Sequence, residues 1–256
     1  MTTDAARVAA ARRWFRRQGY APQVADGTVA VVTPDHPHTW DANWVVANPD
    51  ATPAALLAAV DRHFGTATQA VVHADALTGP AIEAALALAG FAIRGTTIEM
   101  VAHHVASPHP LPPVALRPVD DANWATFAAL VERNHAEARS DHHLDAAVGA
   151  GLLDGMHRKR DACRFWLLDA DGAAAGYGMT AVCPNGLGLI ESLFTVPDRR
   201  GRGLMSAFIA RAAAALRDEG CDAVFLDAHA DDTPKHLYAR LGFAPVSLNR
   251  TWVRET

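Results

Sequence analysis

The stretch 191–206 (ESLFTVPDRRGRGLMS) constrains the fold of this chain more than any other. An apolar strand ends at Pro197, a tight loop with Gly201 and Gly203 follows, and an apolar helix begins at once. Glycine lets the backbone come close to a ligand. The first amides of a helix have no internal partner and lie at the positive end of the helix dipole. The sequence therefore predicts a phosphate-binding turn between a strand and a helix.

Three arginines add positive charge to this loop, namely Arg199, Arg200 and Arg202. Arginine suits phosphate because its planar guanidinium donates several hydrogen bonds at once. The loop is not a Walker A loop, because no Gly-Lys-Ser/Thr follows, and it is not a dinucleotide-binding fingerprint, because the third glycine is missing. A Gly-x-Gly pattern alone does not identify the ligand.

A proline-rich segment, residues 107–113 (SPHPLPP), predicts a linker, because proline fixes φ and removes a backbone donor. It divides the chain into residues 1–106 and 114–256, each long enough for a core of its own. Apolar periodicity predicts alternating strands and helices in both parts, including a strand over 187–196 and a helix over 204–219. The predicted fold class is α/β with a mixed sheet.

The two parts end in a similar way. Residues 86–101 (LALAGFAIRGTTIEMV) end much as residues 237–253 (LYARLGFAPVSLNRTWV) do. Aligning the two Gly-Phe pairs sets Phe91 against Phe243 and Leu86 against Tyr238. The pattern predicts an internal duplication with a diverged first copy.

The glycine loop also carries a family resemblance. Strand–Pro–x–x–Arg–Gly–x–Gly–helix resembles the acyl-CoA pyrophosphate loop of the GNAT superfamily of N-acetyltransferases. Met205 departs from the family pattern, because Gly or Ala is usual at that position. Residues 237–243 (LYARLGF) are similar to the family's Leu-Tyr-x-x-x-Gly-Phe motif on the helix after the fifth strand. The resemblance covers about residues 114–256 and implies a GNAT fold, with a degenerate GNAT-like copy before it.

The resemblance implies acetyl-CoA as the acyl donor and assigns residues to it. Backbone amides of Leu193, Phe194 and Thr195 are expected to pair with the pantetheine arm. The pyrophosphate is expected to lie on the loop and helix start formed by Arg200, Gly201, Arg202, Gly203, Leu204, Met205 and Ser206. Glu191 matches an acidic residue of many members, and Tyr238 is expected near the thioester sulfur. Asp231 or Asp232 falls where many members carry an asparagine, which is a further departure.

The chemistry of amine acylation explains the roles expected of Glu191 and Tyr238. A free alkyl amine has a pKa near ~10.4, so most of it is protonated at neutral pH, and only the neutral amine attacks a thioester. Glu191, directly or through water, is the candidate base, with His229 as an alternative. A strand amide can stabilise the tetrahedral oxyanion, and Tyr238 is the candidate acid for the leaving thiolate. The competing structural interpretations are a solvated Glu191 and a Tyr238 whose ring only packs on the sheet.

The N-terminal half lacks the glycine loop. Asn48-Pro49-Asp50 precedes the helix that Thr52 is expected to cap, so this half is not expected to bind CoA. Residues 35–43 (DHPHTWDAN) form either a loop over the substrate cleft or a turn with a buried Trp40. An opening helix is predicted to expose a charged face to solvent, formed by Arg12, Arg13, Arg16 and Arg17.

Composition excludes several classes of partner. A formal net charge of −5 does not favour nucleic acid or an anionic membrane. The three cysteines are far apart and odd in number, which indicates reduced thiols rather than a disulfide framework. No apolar run approaches the ~20 residues that span a bilayer, and no signal peptide is seen, so a cytoplasmic protein is expected. The adjacent pairs His103-His104 and His142-His143 have diverging side chains, and no metal site is predicted.

The resulting hypothesis is an acetyl-CoA-dependent N-acetyltransferase that acts on a small-molecule primary amine by direct attack in a ternary complex. The N-terminal half would be a scaffold or lid, and residues 131–160 would select the acceptor. One alternative is a non-catalytic acyl-CoA-binding sensor or interaction module. Another is a tandem acyltransferase similar to the mycothiol synthases. The sequence leaves the oligomeric state open, with a homodimer as one alternative.

Overall fold

A computed structural model describes residues 3–137 and 146–255 of the chain. Its helices are α1 (Asp4–Arg17), α2 (Pro53–Phe64), α3 (Pro80–Leu88), α4 (Trp124–Ala136), α5 (Ala146–Arg158), α6 (Leu204–Asp218) and α7 (Pro234–Arg240). Its strands are β1 (Gln23–Ala25), β2 (Thr28–Val31), β3 (Trp44–Ala47), β4 (Gln69–Ala74), β5 (Ala92–Ala102), β6 (Ala115–Pro118), β7 (Arg164–Ala170), β8 (Ala173–Val182), β9 (Leu187–Thr195), β10 (Ala223–His229) and β11 (Ala244–Glu255). The α/β class with a mixed sheet is confirmed.

Within the described residues, the strands form one sheet in the order β1-β2-β3-β4-β11-β5-β10-β9-β8-β7-β6. The last strand of each half lies in the other half's part of the sheet, because β5 pairs with β10 and β11 pairs with β4. Residues 107–113 contain neither helix nor strand, as a linker requires. The halves on either side of them nevertheless share a sheet, and the division into two domains stays a prediction.

The pairing of β5 with β11 has an internal symmetry. Ala244 lies opposite Val101, and Val253 lies opposite Ala92. The spacing in sequence between Ala92 and Ala244 is also that between Val101 and Val253, and between the two phenylalanines of the Gly-Phe pairs. A two-fold relation between the halves therefore passes through the middle of this strand pair, which supports the predicted duplication.

Helices cover both faces of the C-terminal part of the sheet. On one face, α6 and α7 bury an apolar cluster that includes Phe208, Leu216 and Tyr238. On the other face, α1 and α4 bury a second cluster that includes Phe15 and Phe127, with side chains of α5 packed against it. Because α1 belongs to the N-terminal half, that half contributes directly to the core of the C-terminal half.

Candidate active site

The glycine loop leads directly into α6. Gly201 and Gly203 both have φ of 75°, a left-handed conformation that glycine adopts without strain. Gly203 is the N-cap of α6 and offers no side chain to its amides. The first intrahelical bond of this turn runs from the Ala207 N–H to the Gly203 carbonyl. The amides of Leu204, Met205 and Ser206 precede it, so they lie where a helix holds a phosphate.

Met205, the departure from the family pattern, is half-buried and packs against the apolar cluster under α6. Its neighbour Leu204 is buried in that cluster. The methionine side chain is therefore directed into the core, and its bulk does not cover the helix start. This favours the interpretation in which the substitution leaves the phosphate site open.

The arginines of the loop have different surroundings. Arg200 donates from Nε to the Thr195 carbonyl at 2.8 Å and from Nη2 to Glu137 at 2.7 Å, with its guanidinium over the ring of Phe194. It therefore braces the loop against β9 and α4. Arg202 is exposed and donates to the Asp198 carbonyl at 3.2 Å. Arg202 is the more available of the two for an incoming phosphate.

Strands β9 and β10 separate beside this loop. Their parallel pairing covers only Leu187–Leu189 on β9, and the backbone of Ser192 has φ of 55°. The part of β9 that carries Leu193, Phe194 and Thr195 therefore does not pair with β10. Its amides border the wedge between the strands, where the sequence predicts the pantetheine arm.

A buried arginine gathers three carboxylates at this wedge. Arg12 of α1 donates to both oxygens of Glu99 at 3.1 Å and lies 3.4 Å from Asp227. It also donates to Glu191. Burial raises the pKa of Glu191 and of Asp227, and the charge of Arg12 opposes both shifts. Glu191 is thus neither a freely solvated acid nor an unpaired one.

The predicted solvated face of α1 is wrong at two positions. Arg12 is only 4% exposed and Arg13 only 7%. Arg13 forms two hydrogen bonds of 2.7 Å with Asp75, which is also buried. The physical reason is that α1 lies across the sheet where the halves meet, so its arginines face buried carboxylates rather than water.

Tyr238 approaches the wedge from the opposite face of the sheet. Its ring is buried and lies 6.3 Å from that of Phe243. Burial, and then the charges of Asp227 and Glu191, raise its pKa. The phenol therefore stays protonated through the physiological range and can donate a proton. His229, the alternative base, is exposed at the end of β10.

Residues 35–43 of the N-terminal half pack against part of the predicted acceptor region, residues 131–160. His36 Nε2 lies 3.2 Å from the Asp154 carboxylate on α5. Gly151 of α5 approaches the side chain of Thr39 so closely that a Cβ there would lie 2.1 Å from its Oγ1. Trp40 is half-buried and donates to Gln69 at 2.8 Å. Residues 35–43 thus pack on α5, as a loop over the cleft requires. Residues 138–145, within the predicted acceptor region, lie outside the described residues, as do His142 and His143.

Between residues 3–137 and 146–255, no group of three or more His, Cys, Asp or Glu side chains is arranged to hold a metal ion. No helix of those ranges is long and apolar enough to cross a membrane. A cavity of about 360 Å³, lined by Cys163, Thr180 and Glu219 among others, contains none of the predicted site residues.

The helix start and the adjoining wedge between parallel strands define the class, an α/β protein with the fold of an acyltransferase. Residues 123–243 match the family described as Acetyltransferase (GNAT) family. The C-terminal half of this chain is therefore a GNAT-family domain. No protein of curated function matches the chain in sequence.

Solved structures show the same fold over nearly the whole chain. A GCN5-related N-acetyltransferase from Kribbella flavida is 18% identical, with 99% of this chain and 96% of that one covered and a TM-score of 0.71. A functionally unknown conserved protein from Staphylococcus epidermidis ATCC 12228 is 14% identical, with coverage of 93% and 94% and a TM-score of 0.67. A tandem GNAT protein from the clavulanic acid biosynthesis pathway is 17% identical, with coverage of 79% and 68% and a TM-score of 0.53.

Proposed function

We propose that this chain is an acetyl-CoA-dependent N-acetyltransferase that acetylates a primary amine of a small molecule. The observation that carries the proposal is the start of α6, where Gly203 leaves the first amides without a side-chain cap, next to the wedge that holds Glu191. Pyrophosphate on these amides would direct the pantetheine arm along β9 into the wedge. The thioester would then lie between the carboxylates on one face and Tyr238 on the other.

The proposed reaction is a direct transfer. Glu191, directly or through water, accepts a proton from the ammonium, and the neutral amine attacks the thioester carbonyl. The C–N bond forms, and an amide of β9 stabilises the oxyanion. The C–S bond then breaks, and Tyr238 protonates the thiolate, which leaves as CoA. The attacking nitrogen releases its remaining extra proton to solvent, and Tyr238 regains a proton from solvent. The charge of Arg12 opposes the rise in the pKa of Glu191 and so favours the ionised carboxylate that a base requires.

The ion pair between Arg12 and Glu191 also favours a second candidate function. If that pair only stabilises the junction of the halves, the chain binds acyl-CoA without turnover, as a sensor or interaction module. The N-terminal half is proposed to be a GNAT-like copy that does not bind CoA.

Thermal unfolding with and without millimolar acetyl-CoA tests the CoA site. Ligand at about 100 times its Kd stabilises a protein by about 2.7 kcal/mol, which raises the unfolding temperature by several degrees. The wild type is expected to show this shift, and Gly201→Glu is expected to lose it. Gly172→Glu is the matched control, because Gly172 has φ of 77° and, like Gly201, open space around its Cβ position.

Release of free CoA with a panel of amines then separates the two candidates. Turnover supports the enzyme, whereas a retained thermal shift without CoA release supports the binding module. An equal shift in all three proteins would place acetyl-CoA elsewhere, and no shift in the wild type would overturn both candidates.

A further inference from the structure

Arg16 of α1 differs from its neighbouring arginines, because no residue within 3–137 or 146–255 forms a hydrogen bond or ion pair with its guanidinium. Arg12 and Arg13 are each paired with buried carboxylates, and Arg17 donates to the Arg13 carbonyl at 3.1 Å. Among the described residues, no hydrogen bond or ion pair involves the Arg16 guanidinium, and its Nη1 is buried without a hydrogen-bond partner. Burial, and then the charge of Arg12, lower its pKa.

A second cation, Lys159, lies near Arg16. Its Nζ lies 4.4 Å from the ring centroid of Phe15 and 5.7 Å from that of Tyr20. No carboxylate of the described residues lies within ion-pair distance of it. Burial lowers the pKa of Lys159; Asp41 opposes this shift, whereas Arg16 acts with it. Two cations from different halves thus lie near each other, and no carboxylate of residues 3–137 or 146–255 is bound to either.

This arrangement is unfavourable in the free protein. Buried charges are normally paired, and two like charges in one cleft raise the cost of burial. Asp41 acts electrostatically on both cations, and Glu99 and Asp75 attract Arg16 more strongly. Glu99 and Asp75 are already bonded to Arg12 and Arg13, and Asp41 is exposed, so none of the three bonds to Arg16. A bound anion would supply the missing partner, and arginine binds planar oxyanions with two parallel hydrogen bonds.

The position of this pair relates it to the acetylation site. Arg16 follows Arg12 by one helical turn, about 5.4 Å along the axis, and Arg12 donates to Glu191. An amine beside Glu191 and an oxyanion beside Arg16 would therefore be separated by a distance that one small molecule can span. Both cations lie on the face of the sheet that α4 and α5 cover, which is the predicted acceptor side.

We propose that Arg16 and Lys159 bind an oxyanion of the acceptor, so that the acceptor is an amine with a nearby carboxylate or phosphate group, as in an amino acid. This inference rests on the proposed function and adds the class of substrate. The N-terminal half then contributes to acceptor selection through α1.

The test compares trios of matched acceptors. Each trio holds an L-amino acid, the amine left when its carboxylate is removed, and the corresponding aminophosphonate, for example L-alanine, ethylamine and 1-aminoethylphosphonate. The wild type is expected to prefer one oxyanion-bearing member to the plain amine by about 10- to 100-fold in kcat/KM, the range for hydrogen bonds to charged groups. The preferred member distinguishes carboxylate from phosphate chemistry.

Three variants assign that preference to residues. Arg16→Met and Lys159→Met are expected to raise KM for the preferred acceptor by more than KM for the plain amine, so that the preference between the two falls. Arg16→Met is also expected to unfold at the same or a higher temperature, because it removes an unpaired buried charge. Arg211→Met, which removes a charge from the exposed face of α6, is the control and should keep the wild-type preference.

Several outcomes would overturn the inference while the proposed function stands. One is equal use of plain amines and acids by the wild type. Another is an unchanged preference in both Arg16→Met and Lys159→Met. A third is turnover of amines outside the trios by a wild type that acetylates no member of any trio. Failure of the wild type to bind acetyl-CoA would instead overturn the proposed function itself.

Discussion

The two halves of this chain build the same strand–helix unit, but they differ in how the helix begins. In the C-terminal half, α6 begins after Gly203, which leaves the first amides open. In the N-terminal half, α2 begins with Pro53, and the Thr52 side chain already accepts from the Ala55 amide at 3.1 Å. A capped helix start has fewer free donors for a phosphate. The two helix starts thus differ in their free backbone donors although each follows a strand of the same sheet.

The same contrast holds for charge. Asp227 on β10 lies opposite Glu99 on β5, whereas His73 on β4 lies opposite Thr251 on β11. Burial, and then the charges of Arg16 and Arg12, lower the pKa of His73 well below its usual value, so this histidine is neutral. Two acidic residues thus face each other where β10 meets β5, and a histidine and a threonine do so where β4 meets β11.

The largest expected effect comes from removing each of the two buried arginines of α1. Arg12→Gln would leave Glu99, Glu191 and Asp227 without their shared cation, and should cost about 3–5 kcal/mol of unfolding free energy at pH 7. Arg13→Gln should cost less, because Asp75 still accepts from the Leu77 amide. Urea unfolding measures both. The loss in Arg12→Gln should shrink on acidification, and equal losses in the two variants would contradict the comparison.

Turnover should distinguish Glu191 from Asp75, two carboxylates that each pair with an arginine of α1. Glu191→Gln is expected to lower kcat by about 100-fold or more, because general-base catalysis contributes about 10²–10⁴-fold. Asp75→Asn removes a carboxylate that also pairs with an α1 arginine, but from the other half, and should leave kcat within a few-fold. Steady-state CoA release measures both. A Glu191→Gln enzyme with wild-type kcat would make Glu191 a structural residue.

The smallest expected effect is a pH dependence of stability from His73. The folded protein keeps His73 neutral, so below the ordinary histidine pKa of about 6.5 only the unfolded chain takes up its proton. Stability from this group is present above that pH and falls as pH decreases, by at most about 1.4 kcal/mol per pH unit. Glu191 and Asp227, whose folded pKa values are raised, contribute in the opposite sense, with stability lost as pH rises through those values.

The contribution of His73 to the pH dependence of stability is obtained by comparing the wild type with two variants. His73→Gln should flatten the loss of stability between pH 6.5 and 5 in urea titrations. His104→Gln, at an exposed position, should keep the wild-type slope. Identical slopes in all three proteins would show that His73 is not held neutral by the fold.

The local elements were predictable because their patterns lie within a few residues. The helix expected over 204–219 is Leu204–Asp218, and the strand expected over 187–196 is Leu187–Thr195. Glycine is favoured where φ is positive, so the loop at Gly201 and Gly203 could be recognised from the residues alone. The family of the C-terminal half followed from that loop and the Leu-Tyr-x-x-x-Gly-Phe motif, and it is confirmed. The individual site roles stay predictions.

The sequence by itself determined the strand–loop–helix unit, the mixed α/β class and the repeat, because each depends on neighbouring residues. Only the tertiary structure decided that β5 and β11 lie in the opposite halves of the sheet and that α1 crosses their junction. The cluster of charged residues Arg12, Arg13 and Arg16 resembles a solvated helix face in the sequence. No local pattern predicts which part of a sheet a helix will cover. Partners for these arginines come from strands far away in sequence, so their burial, pairing or lack of a partner is set by packing between the halves.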